Sequence, residues 1–149
     1  MNKQRLLQLA AFLDQLPPKK FEYMTIAREG KKPMLEALKA RDENCGTAAC
    51  AMGWTPAVFP DLVAWRKHTY RDGRPYPKAA VIDICLLEHP DIIDWDAMVS
   101  IFDISPEAAD YLFTPGLAAH GYSGLGDDAL PTEVAAHIRA FVQRTEEES

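Results

Sequence analysis

The residues of this chain best suited to covalent chemistry are Cys45 and Cys50, in the segment Asn-Cys-Gly-Thr-Ala-Ala-Cys-Ala-Met-Gly-Trp of residues 44–54. The small residues of this segment predict a central helix over 47–54, with Thr47 as its N-cap and Gly53 at its end. Cys45 would then precede a helix N-terminus, where unpaired backbone N–H groups and the helix dipole favour a thiolate. This position makes Cys45 a candidate nucleophile.

A cysteine nucleophile needs a histidine as general base, and a carboxamide or carboxylate that orients the histidine. The chain has four histidines, His68, His89, His120 and His137, and their spacing from Cys45 does not choose among them. We take Cys45 and His120 as the alternative catalytic pair. Because these residues do not make a coherent catalytic set, the sequence favours a protein that is not an enzyme.

The other interpretation of residues 45–54 is structural. Free cysteine is among the most buried residue types, so the segment would be a buried small-residue helix with inert thiols. Its structural motif consists of Cys45, Gly46, Thr47, Cys50 and Trp54. Two cysteines five positions apart on a helix have Cα atoms about 8 Å apart, too far for a disulfide and poorly placed to share a zinc ion. We therefore expect reduced thiols, no metal and no other cofactor.

Two resemblances bear on this segment. Asn44-Cys45-Gly46, followed by Ala49-Cys50-Ala51-Met52, resembles the nucleophile helix of bacteriocin-processing, papain-like cysteine peptidases, which implies Cys45 as the nucleophile. Over most of its length the chain is similar to a group of small uncharacterised proteins of bacteria and their phages that share a Cys-Gly-Thr-x-x-Cys-Ala motif. The features of this second resemblance are a Leu-rich N-terminal helix followed by Phe21, then Cys45-Gly46-Thr47, Cys50-Ala51, Gly53-Trp54, Pro56, Pro60, Ser105, Ala108-Ala109, Tyr111-Leu112-Phe113, Pro115 and Pro131 to Arg139. It implies a mobile-element protein acting inside a bacterial cell.

Residues 65–78 form a second candidate site, for binding rather than catalysis. Cations are interleaved there with aromatic rings, a combination that contacts the phosphates and stacks on the bases of single-stranded nucleic acid. The candidate residues are Arg66, Lys67, Tyr70, Arg71, Arg74, Tyr76 and Lys78. This pattern predicts nucleic-acid or nucleotide binding, although an isoelectric point of about 5.2 is low for a dedicated nucleic-acid domain. The alternative is a solvated loop with two aromatic rings packed into the core.

Charge is divided unevenly along the chain. Residues 1–78 hold 14 basic and 8 acidic residues and residues 79–149 hold 2 basic and 14 acidic ones, for a net charge of −6. Such a division is typical of a partner-facing surface, or of two halves that pack together and neutralise each other. With no coherent catalytic set in view, we favour a non-enzymatic protein that binds another macromolecule, preferentially a protein. A cysteine-dependent hydrolase using Cys45 and a nucleic-acid-binding protein are the alternatives, and the oligomeric state is left open.

Length and composition indicate the general class of protein. The chain has 149 residues, 48% of them hydrophobic and 26% charged, as expected for one folded domain rather than a disordered or collagen-like chain. No apolar run approaches the roughly 18 residues of a membrane span, and the N-terminus lacks the features of a signal peptide. We predict a cytoplasmic protein without membrane contacts, with a single helical domain over 1–145 and an acidic tail over 146–149.

The hydrophobic pattern predicts the elements that position these sites. Apolar residues at helical spacing predict helices over 3–16, after an N-cap at Asp94, after an N-cap at Ser105, and from Thr132 onward. Residues 28–43 are compatible with an exposed helix or a loop, and 66–78 with a loop or a hairpin. The near-continuous apolar run of 79–88 fits a helix or a strand, and we favour a helix because its neighbours are helical. The predicted fold is mainly α, a single compact helical domain of about six helices with room for one small β-hairpin.

Overall fold

The computed structural model of this chain describes residues 1–22, 26–39, 48–68, 72–74, 82–114, 125 and 128–149. The helices within these ranges are α1 (Lys3–Gln15), α2 (Met34–Lys39), α3 (Thr55–Val58), α4 (Asp94–Phe102), α5 (Pro106–Phe113) and α6 (Pro131–Glu147). The strands are β1 (Ala27–Arg28), β2 (Ala48–Ala49), β3 (Val63–Lys67) and β4 (Ile82–Leu86), and a 3-10 turn spans Pro18–Lys20.

The fold is mixed α/β, so the prediction of a mainly α domain of about six helices with at most one hairpin is wrong. Two antiparallel, two-stranded sheets accompany the six helices in the described part of the chain. In the first sheet β1 pairs with β2, and Ala27 lies opposite Ala49. In the second sheet β3 pairs with β4, and Arg66 lies opposite Asp83.

The apolar run at 79–88, for which we favoured a helix, contains strand β4 instead. All five residues of β4 are buried. A strand buried on both faces has a continuous apolar sequence, so its period does not differ from that of a buried helix. The helical prediction relied on the neighbouring segments of the chain, whereas the structure of this run depends on its pairing with β3.

The helix predicted over 47–54 is also wrong for the residues that the structure describes. Ala48 and Ala49 form β2, and residues 51–54 form a turn that leads into α3. Every residue from 48 to 54 is buried, and a Cβ atom built on Gly53 would lie only 1.5 Å from the carbonyl oxygen of Ile26. The small residues therefore serve close approach to β1, and this pairing outweighs an alanine helix propensity worth a few tenths of a kcal/mol per residue.

Helices α1 and α6 pack against each other and join the two ends of the described chain. Each helix buries its apolar face, as the sequence predicts. The buried residues are Leu6, Leu9, Ala10 and Leu13 of α1 and Val134, Ala135, Ile138 and Val142 of α6. Lys3 forms an ion pair with Glu146, and Arg139 Nη2 lies 2.5 Å from Asp14 Oδ2. Opposite charges from the two halves of the chain thus meet along this helix pair.

The two predicted N-caps have different outcomes. Ser105 is confirmed, since its Oγ accepts the backbone N–H of Ala108 at 3.1 Å. Asp94 is the first residue of α4, and its carboxylate accepts the N–H of Ile84 in β4 rather than an N–H of its own helix. The cap prediction for Asp94 is therefore wrong, because its side chain turns toward the neighbouring strand.

Candidate functional site

Strands β3 and β4 bring a histidine and a buried carboxylate together. His68 follows β3 two residues after Arg66, which lies opposite Asp83, so His68 and Asp83 are diagonal neighbours on one face of the sheet. Nδ1 of His68 lies 2.9 Å from Oδ2 of Asp83. The side chain of Asp83 is 8% exposed and that of His68 is 38% exposed, so the carboxylate is withdrawn from solvent while the imidazole reaches it.

This hydrogen bond determines what the imidazole of His68 can do. When Asp83 is ionised, its carboxylate only accepts hydrogen bonds, and the ring that makes this contact then carries a proton on Nδ1. Nε2 is then the acceptor of the neutral ring and can take a proton from a reacting group. The arrangement is the one that a general base requires, because Asp83 both orients the ring and stabilises the imidazolium that forms.

A second carboxylate, that of Asp94, adjoins this pair. Its Oδ1 accepts the backbone N–H of Ile84 at 3.0 Å, one residue along β4 from Asp83. Burial raises the pKa of Asp94 to about 6; the Ile84 N–H and the His68 charge act to lower this pKa, and the charge and hydrogen bond of Asp83 act to raise it. We call His68, Asp83 and Asp94 the β3–β4 cluster.

Replacing Asp94 with asparagine is expected to stabilise the protein increasingly as the pH rises. The folded pKa of Asp94, about 6, exceeds the ordinary aspartate value of 3.8, so the native protein disfavours the charged form. The wild-type protein therefore loses stability as the pH rises toward the folded pKa, whereas the asparagine of the variant cannot ionise. After a discount for partial exposure, the free energy of unfolding of the variant relative to wild type should grow by about 1–2 kcal/mol between about pH 4 and about pH 8.

Urea unfolding of Asp94→Asn and wild type at several pH values measures this difference. Asp96→Asn is the matched control, because Asp96 is an exposed carboxylate of the same helix. A difference between Asp94→Asn and wild type that stays constant over the pH range contradicts the prediction.

The turn at 50–54 packs against the strand that leads to the β3–β4 cluster. The ring of Trp54 meets that of Trp65 in β3 edge to face, with centroids 6.2 Å apart. Nε1 of Trp65 donates to the carbonyl of Gly53 at 2.7 Å, and Nε1 of Trp54 donates to the carbonyl of Lys20 at 2.8 Å. Cys50 and Trp54, two residues of the predicted structural motif, are therefore part of the core beside β3.

The thiol of Cys50 is placed for packing rather than for reaction. It is 2% exposed and lies 3.6 Å from the carbonyl oxygen of Ile26. Burial raises the pKa of the Cys50 thiol to about 11, and the charge of Asp94 acts in the same direction, so little thiolate is present near neutral pH. Cys85 of β4 is also a buried free thiol.

The remaining histidines differ from His68 in their surroundings. Nε2 of His137 lies 3.2 Å from the carbonyl oxygen of Tyr111, and burial lowers the pKa of His137. His89 is exposed in the turn after β4. His120, which we paired with Cys45 from the sequence, lies outside the described residues. Of the described histidines, His68 is the one that has a carboxylate partner within the described part of the chain.

Most of the other sequence-predicted site residues also lie outside the described residues. They are Cys45, Gly46, Thr47, Tyr70, Arg71, Tyr76 and Lys78. Of the described basic candidates, Arg66 donates from Nη1 to the carbonyl of Pro90 at 2.6 Å, and Nε of Arg74 lies 2.5 Å from Oδ2 of Asp72. Lys67 is exposed at the end of β3. Arg66 and Lys67 thus lie on one strand. Two of the three described cations, Arg66 and Arg74, contact other residues of the chain.

Sequence reasoning missed Asp83 and Asp94 as site residues. A signal for Asp83 was present, because it is the one charged residue in the apolar run of 79–87. A carboxylate is almost never fully buried unless it is paired, so a lone aspartate in such a run indicates a partner elsewhere in the chain. The sequence around Asp94 fits an N-cap, and that interpretation did not predict the contact of the Asp94 side chain with β4.

Comparison of the chain with models of protein families, with curated proteins and with solved structures gives no match. None of the described helices combines the length and the hydrophobicity needed to cross a bilayer. Within the described ranges, no three His, Cys, Asp or Glu side chains are grouped so that they could hold a metal ion. The chemistry of this site is therefore inferred from the geometry of the β3–β4 cluster.

Proposed function

We propose that the protein is a thiol-dependent hydrolase in which His68 is the general base for Cys45 and Asp83 orients His68. The observation that carries this proposal is the 2.9 Å contact between the partly exposed imidazole and the buried carboxylate. The sequence alone favoured macromolecular binding because it contained no visible catalytic set, and this pair supplies a base with its orienting group. Cys45 lies outside the described residues, and the turn that follows it at residues 50–54 packs against β3, where Nε1 of Trp65 donates to the carbonyl of Gly53.

The proposed reaction is acyl transfer to sulfur followed by hydrolysis. Nε2 of His68 takes the proton of the Cys45 thiol, and the thiolate attacks the carbonyl carbon of an amide or ester. The imidazolium, stabilised by Asp83, gives its proton to the departing amine or alcohol, which leaves a thioester on Cys45. His68 then deprotonates a water molecule, whose oxygen attacks the thioester carbon. The carbon–sulfur bond breaks, the carboxylic acid is released, and the Cys45 sulfur takes the proton back from the imidazolium.

Alkylation of each cysteine by iodoacetamide, followed by mass spectrometry, tests the pairing of Cys45 with His68. In the native protein near neutral pH, Cys45 should react about tenfold faster than in the urea-unfolded chain, because only a few per cent of an ordinary thiol is ionised there. His68→Gln and Asp83→Asn should each return the rate to within about twofold of the unfolded value. Cys50 and Cys85, both buried, are internal controls in the same samples.

His89→Gln is the matched control, since it makes the same change at an exposed histidine. It should leave the reactivity of Cys45 unchanged, and circular dichroism should show that all three variants are folded. A native Cys45 that reacts no faster than in the unfolded chain, or one that is unaffected by His68→Gln, overturns the proposal.

Binding of a basic protein partner is the second candidate function. Residues 82–114 contain no lysine or arginine, and five of their carboxylates are exposed, those of Glu88, Asp91, Asp96, Asp103 and Glu107. If Cys45 proves unreactive, this candidate takes precedence, and its association should weaken as salt increases. Nucleic-acid binding through residues 65–78 and a cytoplasmic location both stay predictions.

A further inference from the structure

Asp94 has a backbone conformation that its place in the fold does not require. Among the described non-glycine residues, Asp94 and Asp103 have positive φ angles, of 52° and 51°. Asp103 follows the C-terminus of α4, where a left-handed residue commonly ends a helix. Asp94 begins the same helix, where no such turn is needed. This conformation costs an L-residue about 1 kcal/mol, so the contacts of the Asp94 side chain must offset that cost.

The side chain of Asp94 extends the hydrogen bonding of the outer edge of β4. One edge of β4 pairs with β3, and along the other edge Leu86 N donates to the carbonyl of Ile92 at 3.1 Å. Two residues earlier, Ile84 N donates to Oδ1 of Asp94 at 3.0 Å. Segment 92–94 thus satisfies two successive outward N–H groups of β4, the second through a side chain. Asp83 lies directly before Ile84 on the strand that is held in this way.

The geometry points to Asp94 as a positioning residue of the β3–β4 cluster, which holds Asp83 in place and thereby orients the imidazole of His68. This inference rests on the proposed function, because it assigns the group that prepares the base of that same site. Asp94 contacts the cluster through the backbone of β4, where its Oδ1 accepts the Ile84 N–H at 3.0 Å, and the Asp83 carboxyl group is near enough to help raise the pKa of Asp94. Because Ile84 directly follows Asp83, the bond to Ile84 restrains the strand segment that carries Asp83.

The charged and titratable groups facing Asp94 come from three parts of the fold. Asp83 faces it from β4 and His68 from the end of β3, and the Cys50 thiol lies within electrostatic reach from the turn before α3. An asparagine at position 94 keeps an acceptor for the Ile84 N–H, because its side-chain carbonyl takes the place of Oδ1 of Asp94.

Two substitutions separate the positioning role from a simple packing role. Asp94→Gly removes the side-chain bond to Ile84, yet it suits a φ of 52° and so relieves the backbone cost. Asp94→Asn keeps that bond and removes the charge. Proton–nitrogen NMR of the His68 ring reports whether Nδ1 carries the proton and how fast that proton exchanges with water. Asp83→Asn provides the reference in which the carboxylate partner of His68 is absent.

The expected result is that Asp94→Gly speeds exchange of the Nδ1 proton of His68 about tenfold, the factor that corresponds to losing one charge-assisted hydrogen bond. In Asp94→Asn, exchange of the Nδ1 proton should stay within about twofold of wild type, and the His68 ring should keep the wild-type tautomer. A folded Asp94→Gly protein with wild-type exchange overturns the inference, and so does an Asp94→Asn protein that resembles Asp83→Asn. The second outcome decides the question even if Asp94→Gly does not fold. The NMR measurements do not involve Cys45. A result that contradicts the positioning role of Asp94 therefore leaves the alkylation test of the hydrolase proposal unaffected, and the reverse also holds.

Discussion

Replacing Gly53 with alanine is expected to destabilise the protein by at least about 3 kcal/mol, or to prevent folding. The added Cβ atom would lie 1.5 Å from the carbonyl oxygen of Ile26, 2.6 Å from its carbonyl carbon and 2.7 Å from the Cβ atom of Ala49. Two of these neighbours are backbone atoms, which cannot rotate away as a long side chain would. Because Ile26 directly precedes β1, relief of the clash requires the turn at 51–54 and the start of β1 to move apart.

Urea unfolding followed by tryptophan fluorescence measures the effect of Gly53→Ala. Gly73→Ala is the matched control, since a Cβ atom there would meet nothing within 4 Å although φ is +82°. The control isolates the cost of the left-handed backbone, about 1–2 kcal/mol, from the cost of a clash. A Gly53→Ala protein as stable as Gly73→Ala contradicts the close approach of this turn to β1.

Replacing Trp54 with alanine is expected to cost about 3–5 kcal/mol of stability. Trp54 is fully buried and contacts both Phe12 and Trp65, with ring centroids 6.3 Å and 6.2 Å away. The truncation leaves a large cavity and also leaves the carbonyl of Lys20 without the indole N–H that it accepts at 2.8 Å. Since Trp65 belongs to the strand that leads to His68, the cavity should also loosen the β3–β4 cluster.

The same substitution at Trp95 provides the comparison for Trp54→Ala. Trp95 is 39% exposed, and its Nε1 donates to Oγ1 of Thr114 at the surface. Trp95→Ala should therefore cost about 1 kcal/mol or less. Equal losses in the two variants, measured by urea or thermal unfolding, would contradict the burial of Trp54 in the core beside β3.

Local patterns were sufficient to predict the longer helices. The apolar spacing of α1 and of α6 and the Ser105 cap of α5 depend on neighbours within four residues. Strands β2 and β4 depend on partners far along the chain. Ala48 and Ala49 have high helix propensity, and the run that contains Ile82 has no diagnostic period, so local patterns favoured helices at both places.

The candidate site was less predictable than the helices because it is defined by pairing between strands. His68 was one of four histidines that spacing could not separate, and the register that brings it near Asp83 exists only after β3 and β4 pair. The pKa of Asp94 follows from burial and from neighbours on two other elements. The one relevant signal in the sequence was the lone charge of Asp83 in an apolar run.

The contact between α1 and α6 affects the order of events during synthesis on the ribosome. Residues 16–130 separate the two helices, so α6 emerges on the order of ten seconds after α1 at about 5–20 residues per second. Through that interval the leucine stripe of α1 lacks the helix that covers much of it in the finished protein. The nascent chain therefore exposes an apolar helix that a chaperone can bind until α6 has been translated.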